Sequence, residues 1–189
     1  FGEAESLYRQ VLRLQPDQPD ALHLLGVLTL QSGNAAGAAE LIAKAIKHAP
    51  NDARVNYNYG NALAAAGRFS EAASAYRKAS TAEPRYVEAH ANLGAALARL
   101  KQFEPAVASL RRAIALNPAY VPAYVNLAGA LFDSGRFAEA AASFSDALAR
   151  GAVAPEIHAG LARALVRIGR AQEAAEGFRR ALAMRPDDA

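Results

Sequence analysis

Apolar and small residues fall in two helix-spaced stripes that recur every 34 residues along this 189-residue chain. Copies numbered from Pro19, Ala53, Val87, Val121 and Pro155 keep their columns in phase. Apolar residues fill positions 7, 8 and 11, then 20, 24, 27 and 28, which is the spacing of one helix face repeated twice. Position 20 is Ala38, Ala72, Ala106, Ala140 and Ala174, and position 27 is Ala45, Ala79, Ala113, Ala147 and Ala181. Position 8 is Gly26, Gly60, Gly94, Ala128 and Ala162, whereas position 24 is large: Ile42, Tyr76, Leu110, Phe144 and Phe178. Small residues let two antiparallel helices approach closely, and the large one fills the space they leave. Each copy therefore predicts a helix pair at positions 2–14 and 18–30.

The breaks between stripes agree. Position 15 is Gly33, Gly67, Lys101, Gly135 and Gly169, suited to a left-handed helix end. Pro16, Pro50, Pro84, Pro118 and Pro186 share position 32, where proline stops a helix. Ala152 alone breaks that series, with Gly151 and Pro155 left to interrupt the chain, so an irregular joint is predicted between the fourth and fifth copies. Residues 1–18 read as the second helix of a partial copy, with Ala4 at position 20 and Tyr8 at position 24. Full copies span 19–52, 53–86, 87–120, 121–154 and 155–188, one continuous all-α solenoid with the expectation of a longer parent protein.

A 34-residue helix pair with these columns resembles the tetratricopeptide repeat. The resemblance implies a right-handed α-solenoid, the tetratricopeptide superhelix, whose first helices line a concave binding groove. It departs from the family at position 4, where the usual large aromatic is replaced by Leu22, Asn56, His90 and His158 and kept only as Tyr124. Position 11 departs too, with Thr29 and then leucine in place of tyrosine. Both departures are expected to soften individual interfaces.

Composition removes several function classes. Net charge is +3, with 17 arginines against four lysines, which solvated helix faces explain, so no nucleic-acid role is expected. Absence of cysteine removes disulfide and thiolate chemistry. No apolar run approaches the ~18 residues of a membrane span, and no signal-peptide pattern is present, although the sequence starts at Phe1. A cytoplasmic location is the expectation. His23, His48, His90 and His158 are too scattered to share a metal, and no phosphate loop or nucleophile elbow occurs. Glu71, Glu139 and Glu173 recur at position 19, in the first turn of the second helix, where the helix dipole favours negative charge. No enzyme activity, cofactor or metal is therefore expected.

Function is then sought on the groove positions 2, 5, 6, 9, 12 and 13. Position 6 reads Leu24, Asn58, Asn92, Asn126 and Gly160. Asparagine is a modest helix former, and its amide offers both donor and acceptor, matching a peptide bond. Asn58, Asn92 and Asn126 are read either as rungs gripping an extended peptide's backbone or as side chains that are solvated or paired with the neighbouring copy. Such a ladder resembles the repeat arm of O-linked N-acetylglucosamine transferases, which implies a substrate-recruiting role. A carboxylate clamp is not expected: Asn61 and Asn92 fit two of its places, but Tyr57, Pro122 and Asn126 fill the others without charge. Tyr57 and Phe132 are candidate aromatic anchors. Arg99 and Asp133 lie in the same groove columns, and Arg163 and Arg167, one helical turn apart, favour an acidic segment or are simply solvated. The leading reading is a non-catalytic scaffold for a protein or peptide partner. The alternatives are a recruiting arm of a larger enzyme and a self-assembly module joined through its uncapped end helices.

Overall fold

The computed structural model describes residues 2–184 and contains, among them, eleven α-helices and no strand. They are α1 (Gly2–Leu14), α2 (Pro19–Gln31), α3 (Ala35–His48), α4 (Ala53–Ala65), α5 (Phe69–Ala82), α6 (Val87–Arg99), α7 (Phe103–Leu116), α8 (Val121–Asp133), α9 (Phe137–Ala149), α10 (Pro155–Arg167) and α11 (Ala171–Ala183). Helices begin and end within about one residue of the predicted register. The helix stop expected at Pro186 lies outside the described residues.

The chain divides within α6 into two units, Phe1–Ala96 and Leu97–Ala189. In the first, each helix from α1 to α5 packs on the next. In the second, α7 to α11 do the same. The alanine columns are buried in both. Position 20 is at most 2 % exposed in all five copies, and Ala45, Ala79, Ala113 and Ala147 at position 27 are buried as fully. Around them Ile42, Leu63, Leu110 and Leu131 are the largest fully buried apolar side chains.

Position 15 adopts the left-handed conformation in every copy. Gly33, Gly67, Gly135 and Gly169 have φ between 76 and 89°, and Lys101 takes φ 58° in the one copy without glycine. The joint that lacks proline is irregular, as predicted. After α9, Gly151 turns left-handed at φ 86° and its N–H reaches Leu148 O at 3.0 Å, while Ala152 N–H donates to Ala147 O at 3.1 Å. Backbone hydrogen bonds thus end this helix where a proline ends the others. Residues 150–154 then lead to Pro155 at the start of α10, one residue more than the 117–120 link before α8.

Position 4 proves more uniform in its bonding than in its side chains. Asn56 Nδ2 donates to Pro50 O at 2.9 Å and Asp52 O at 2.8 Å, His90 Nε2 donates to Pro84 O at 3.2 Å, and the Tyr124 hydroxyl donates to Pro118 O at 3.1 Å. Three unlike residues reach the same proline carbonyl, six residues back, in the link that follows the preceding helix. The softening expected from this column is therefore offset at Asn56 and His90 by a polar anchor. Pro118 O accepts a second hydrogen bond from Arg150 Nε at 3.0 Å, and that guanidinium lies over the Tyr124 ring at 4.2 Å.

Candidate functional site

In the first unit, α4 presents Tyr57, Asn58 and Asn61, and α6 brings Asn92 beside them. Asn58 Nδ2 lies 2.8 Å from Nε2 of His23, which is only 4 % exposed. Because the amide nitrogen can only donate, Nε2 accepts and the imidazole is neutral with its proton on Nδ1. Burial, followed by the charge of Arg54, holds this histidine below its ordinary pKa, against the pull of Asp52 and Asp20. Asn92 Nδ2 donates to Asn61 Oδ1 at 3.1 Å and to the Tyr57 hydroxyl at 3.3 Å. The same Asn61 Oδ1 accepts from the Tyr76 hydroxyl at 2.8 Å. Tyr57 packs its ring 4.9 Å from Tyr86 and 5.9 Å from Tyr76. Burial and then Tyr57 push the Tyr76 phenol far above its ordinary range and Tyr86 up to about 12, so both stay protonated.

Asn58 thus spends one amide N–H on the preceding copy, 35 residues back, and Asn92 spends both, 35 and 31 residues back. The oxygens Asn58 Oδ1 and Asn92 Oδ1 have no hydrogen-bond partner among the described residues. Tyr76 and Tyr86 were not legible as members of this face, whereas His23 stands at groove position 5, thirty-five residues before Asn58, as Tyr57 does before Asn92.

In the second unit, α8 carries Asn126, Phe132 and Asp133. Asn126 is half-buried, and its amide has no partner among the described residues. Thirty-five residues before it the chain has Ala91, which offers no polar side chain. Gly129, one turn on, leaves open space where a Cβ would stand. Phe132 meets Phe137 edge-on at 5.3 Å. Arg163 stacks its guanidinium 5.3 Å from the Phe132 centroid, and Arg167 stacks 3.9 Å from that of Phe137. Phe137 is a fourth member that sequence reasoning missed. Arg99, exposed on the last turn of α6, already has an interaction partner, and Asp133 is exposed.

The asparagine column stops at Gly160 for a packing reason. In the first two full copies the large residue at position 24 sits over its own copy's glycine. A Cβ built on Gly26 would stand 2.5 Å from Ile42 Cγ1, and one on Gly60 would stand 2.5 Å from Tyr76 Cε1. In the fourth copy Ala128 fills that place, and Phe144 sits over the next helix instead, 2.6 Å from the Cβ that Gly160 lacks. Phe144 is buried with Tyr124, Ala128, Ala147 and Ile157.

The recurrent carboxylates are paired. Arg68, Arg136 and Arg170 each hold the glutamate three residues on through two hydrogen bonds of 2.6–2.8 Å, to Glu71, Glu139 and Glu173. These bonds hold Glu71 and Glu139 below the usual carboxylate range. In the first copy, which lacks the pair, Asn34 Oδ1 accepts from Gly37 N–H at 2.9 Å. Among the described residues no group of three or more His, Asp or Glu is placed to hold a metal, and no helix is long and apolar enough to cross a membrane.

Tetratricopeptide repeat models match residues 1–62, 60–101, 87–120 and 125–189. MamA from Desulfovibrio magneticus RS-1 is 24 % identical with a TM-score of 0.79, and the match covers 98 % of either chain. TTC0263, a tetratricopeptide repeat protein of Thermus thermophilus, is 26 % identical with a TM-score of 0.70, covering 90 % of this chain and 93 % of that one. YrrB, described as having an unusual peptide-binding site, is 19 % identical with a TM-score of 0.76, covering 95 % of this chain and 93 % of its own. No curated protein matches in sequence.

Proposed function

The chain belongs to the tetratricopeptide repeat family, and we propose that it holds an extended peptide segment on the first-helix faces of its repeats. Protein interaction is the coarse function that family and fold support. The finer reading is carried by Asn126. Its amide is half-buried with both ends unspent among the described residues, beside the open space at Gly129. A side chain that is ordered by its helix but not used by it is available to the C=O and N–H of a passing peptide bond. Asn92 can add only its oxygen, because packing uses both of its N–H groups, and Asn58 can add its oxygen and one N–H.

Asn126→Ala tests this reading. Two hydrogen bonds are worth about 1–2 kcal/mol together, or roughly tenfold in affinity. Retention of a randomised decapeptide mixture on the immobilised protein should fall by about that factor, while the thermal unfolding midpoint stays put. Equal retention by the variant would remove the support for a backbone grip. The same face would serve a recruiting arm of a larger enzyme.

A second reading, self-association, is favoured by exposed apolar residues on two helices. On α1, Leu7 is 54 % exposed and Leu14 85 %, and on α11 Leu182 is 61 % exposed. Apolar faces of this kind bury themselves against another surface. Light scattering over rising concentration should show growth in mass that Leu7→Glu with Leu14→Glu suppresses. A constant monomer mass would retire this reading.

A further inference from the structure

Several arginines in the second unit are held by carboxylates. Arg136 is taken by Glu139 and Glu104, Arg111 also by Glu139, Arg150 by Asp146, and Arg170 by Glu173. Arg163 and Arg167 are exposed and have no carboxylate partner among the described residues. Each instead lays its guanidinium on a phenylalanine, Phe132 or Phe137, and those two rings are locked edge-to-face at 5.3 Å. Stacking holds the plane of a guanidinium by its face and leaves its N–H edge for a second partner. An oxyanion meeting such an edge accepts two parallel hydrogen bonds.

We propose that Arg163 and Arg167 form a paired carboxylate-recognition site that selects, for the peptide-binding face proposed above, a segment with two acidic residues separated by one. Charge complementarity picks the occupant, and spacing picks the pattern. Four residues along α10 advance about 6 Å. In an extended peptide, side chains at i and i+2 share a face and stand about 6.6 Å apart. Adjacent acidic residues point to opposite faces and reach only one of the two arginines. Asp133, exposed on α8 next to Phe132, disfavours a third acidic group on that side. Rings behind both cations lower the cost of ordering these side chains on binding.

The inference rests on the peptide-binding reading and is tested apart from it. The probes are acetyl-Gly-Ser-Glu-Ser-Glu-Ser-Gly-amide, its Gln-Ser-Gln counterpart, and the isomer with adjacent glutamates. The readout is the shift of arginine Nε–H signals in 15N NMR titration of the whole chain. The Glu-Ser-Glu peptide should bind at least tenfold more tightly than the glutamine peptide and several-fold more tightly than the adjacent isomer. It should move the signals of both arginines. Arg163→Gln with Arg167→Gln should abolish that preference, and the double lysine variant, which keeps charge but not the fork, should restore only part of it. Should glutamine double variants unfold, the wild-type comparison of the three peptides still decides. Equal affinity for all three overturns the inference, as does an oligonucleotide that shifts the same signals more strongly. If Arg163→Gln with Arg167→Gln leaves retention of mixed peptides unchanged while Asn126→Ala lowers it, the acidic site falls and the peptide-binding reading stands.

Discussion

Replacing Gly160 with asparagine, which extends the position-6 column by one rung, is expected to cost about 1–3 kcal/mol of folding stability. The column itself suggests the opposite, since Asn58, Asn92 and Asn126 all sit in helices without harm. The difference lies in the residue behind. A Cβ at 160 would stand 2.6 Å from Phe144 Cζ, 2.8 Å from Cε1 and 3.0 Å from Cε2. The ring cannot retreat, because Tyr124, Ala128, Ala147 and Ile157 enclose it. Ala128 stands where the first two full copies have glycine. In the second full copy Gly60 accepts the Tyr76 ring, and Asn92 follows without a clash. Ala128→Gly combined with Gly160→Asn should therefore recover part of the loss, since Phe144 regains the seat its counterparts use. Gly129→Ala is the control: nothing lies within 4 Å of its Cβ, so it should be neutral or stabilise by up to about 1 kcal/mol. Urea midpoints followed by far-UV circular dichroism would measure all three. A Gly160→Asn protein as stable as the parent would mean that Phe144 has another place to go.

The fold was legible because each column records a local requirement. Alanine is nearly inaccessible at position 20 in all five copies and at position 27 in the first four, and position 15 is left-handed even where it holds Lys101. Such features depend on one residue and its own helix pair, so a period reveals them. What a column cannot display is a choice of partner. Asn58 and Asn126 look alike in sequence. One bonds His23 and the other bonds nothing among the described residues, because the answer depends on position 5 of the preceding copy. Arg163 and Arg136 also look alike as groove and turn arginines, yet one stacks on Phe132 and the other chelates Glu139. At position 4 the relation is reversed, for unlike side chains reach the same carbonyl. Candidate residues were thus found by register, whereas their availability to a ligand needed geometry.

Asn61→Leu is the second substitution expected to have a large effect, and it separates packing from binding on the first unit's face. Asn61 Oδ1 accepts two hydrogen bonds, from the Tyr76 hydroxyl at 2.8 Å and Asn92 Nδ2 at 3.1 Å. Tyr76 is only 2 % exposed, so its hydroxyl loses its acceptor with little access to water in exchange. Orphaning a buried donor costs about 1–3 kcal/mol. Asn92 keeps the weaker contact to Tyr57, and Asn61 itself is only half-buried, so the total should be about 2–3 kcal/mol. Tyr76→Phe removes a donor rather than an acceptor and should cost only about 1 kcal/mol. The double variant should then cost less than the two single changes added, because the donor that Asn61→Leu orphans is already gone. A double-mutant cycle from urea midpoints gives that coupling directly. Strict additivity would mean that water already satisfies these groups. It would then return Asn61 and Asn92 to the pool of side chains free to meet a ligand. Coupling of the expected sign assigns them to the scaffold and leaves Asn126 as the amide that a peptide can use in full.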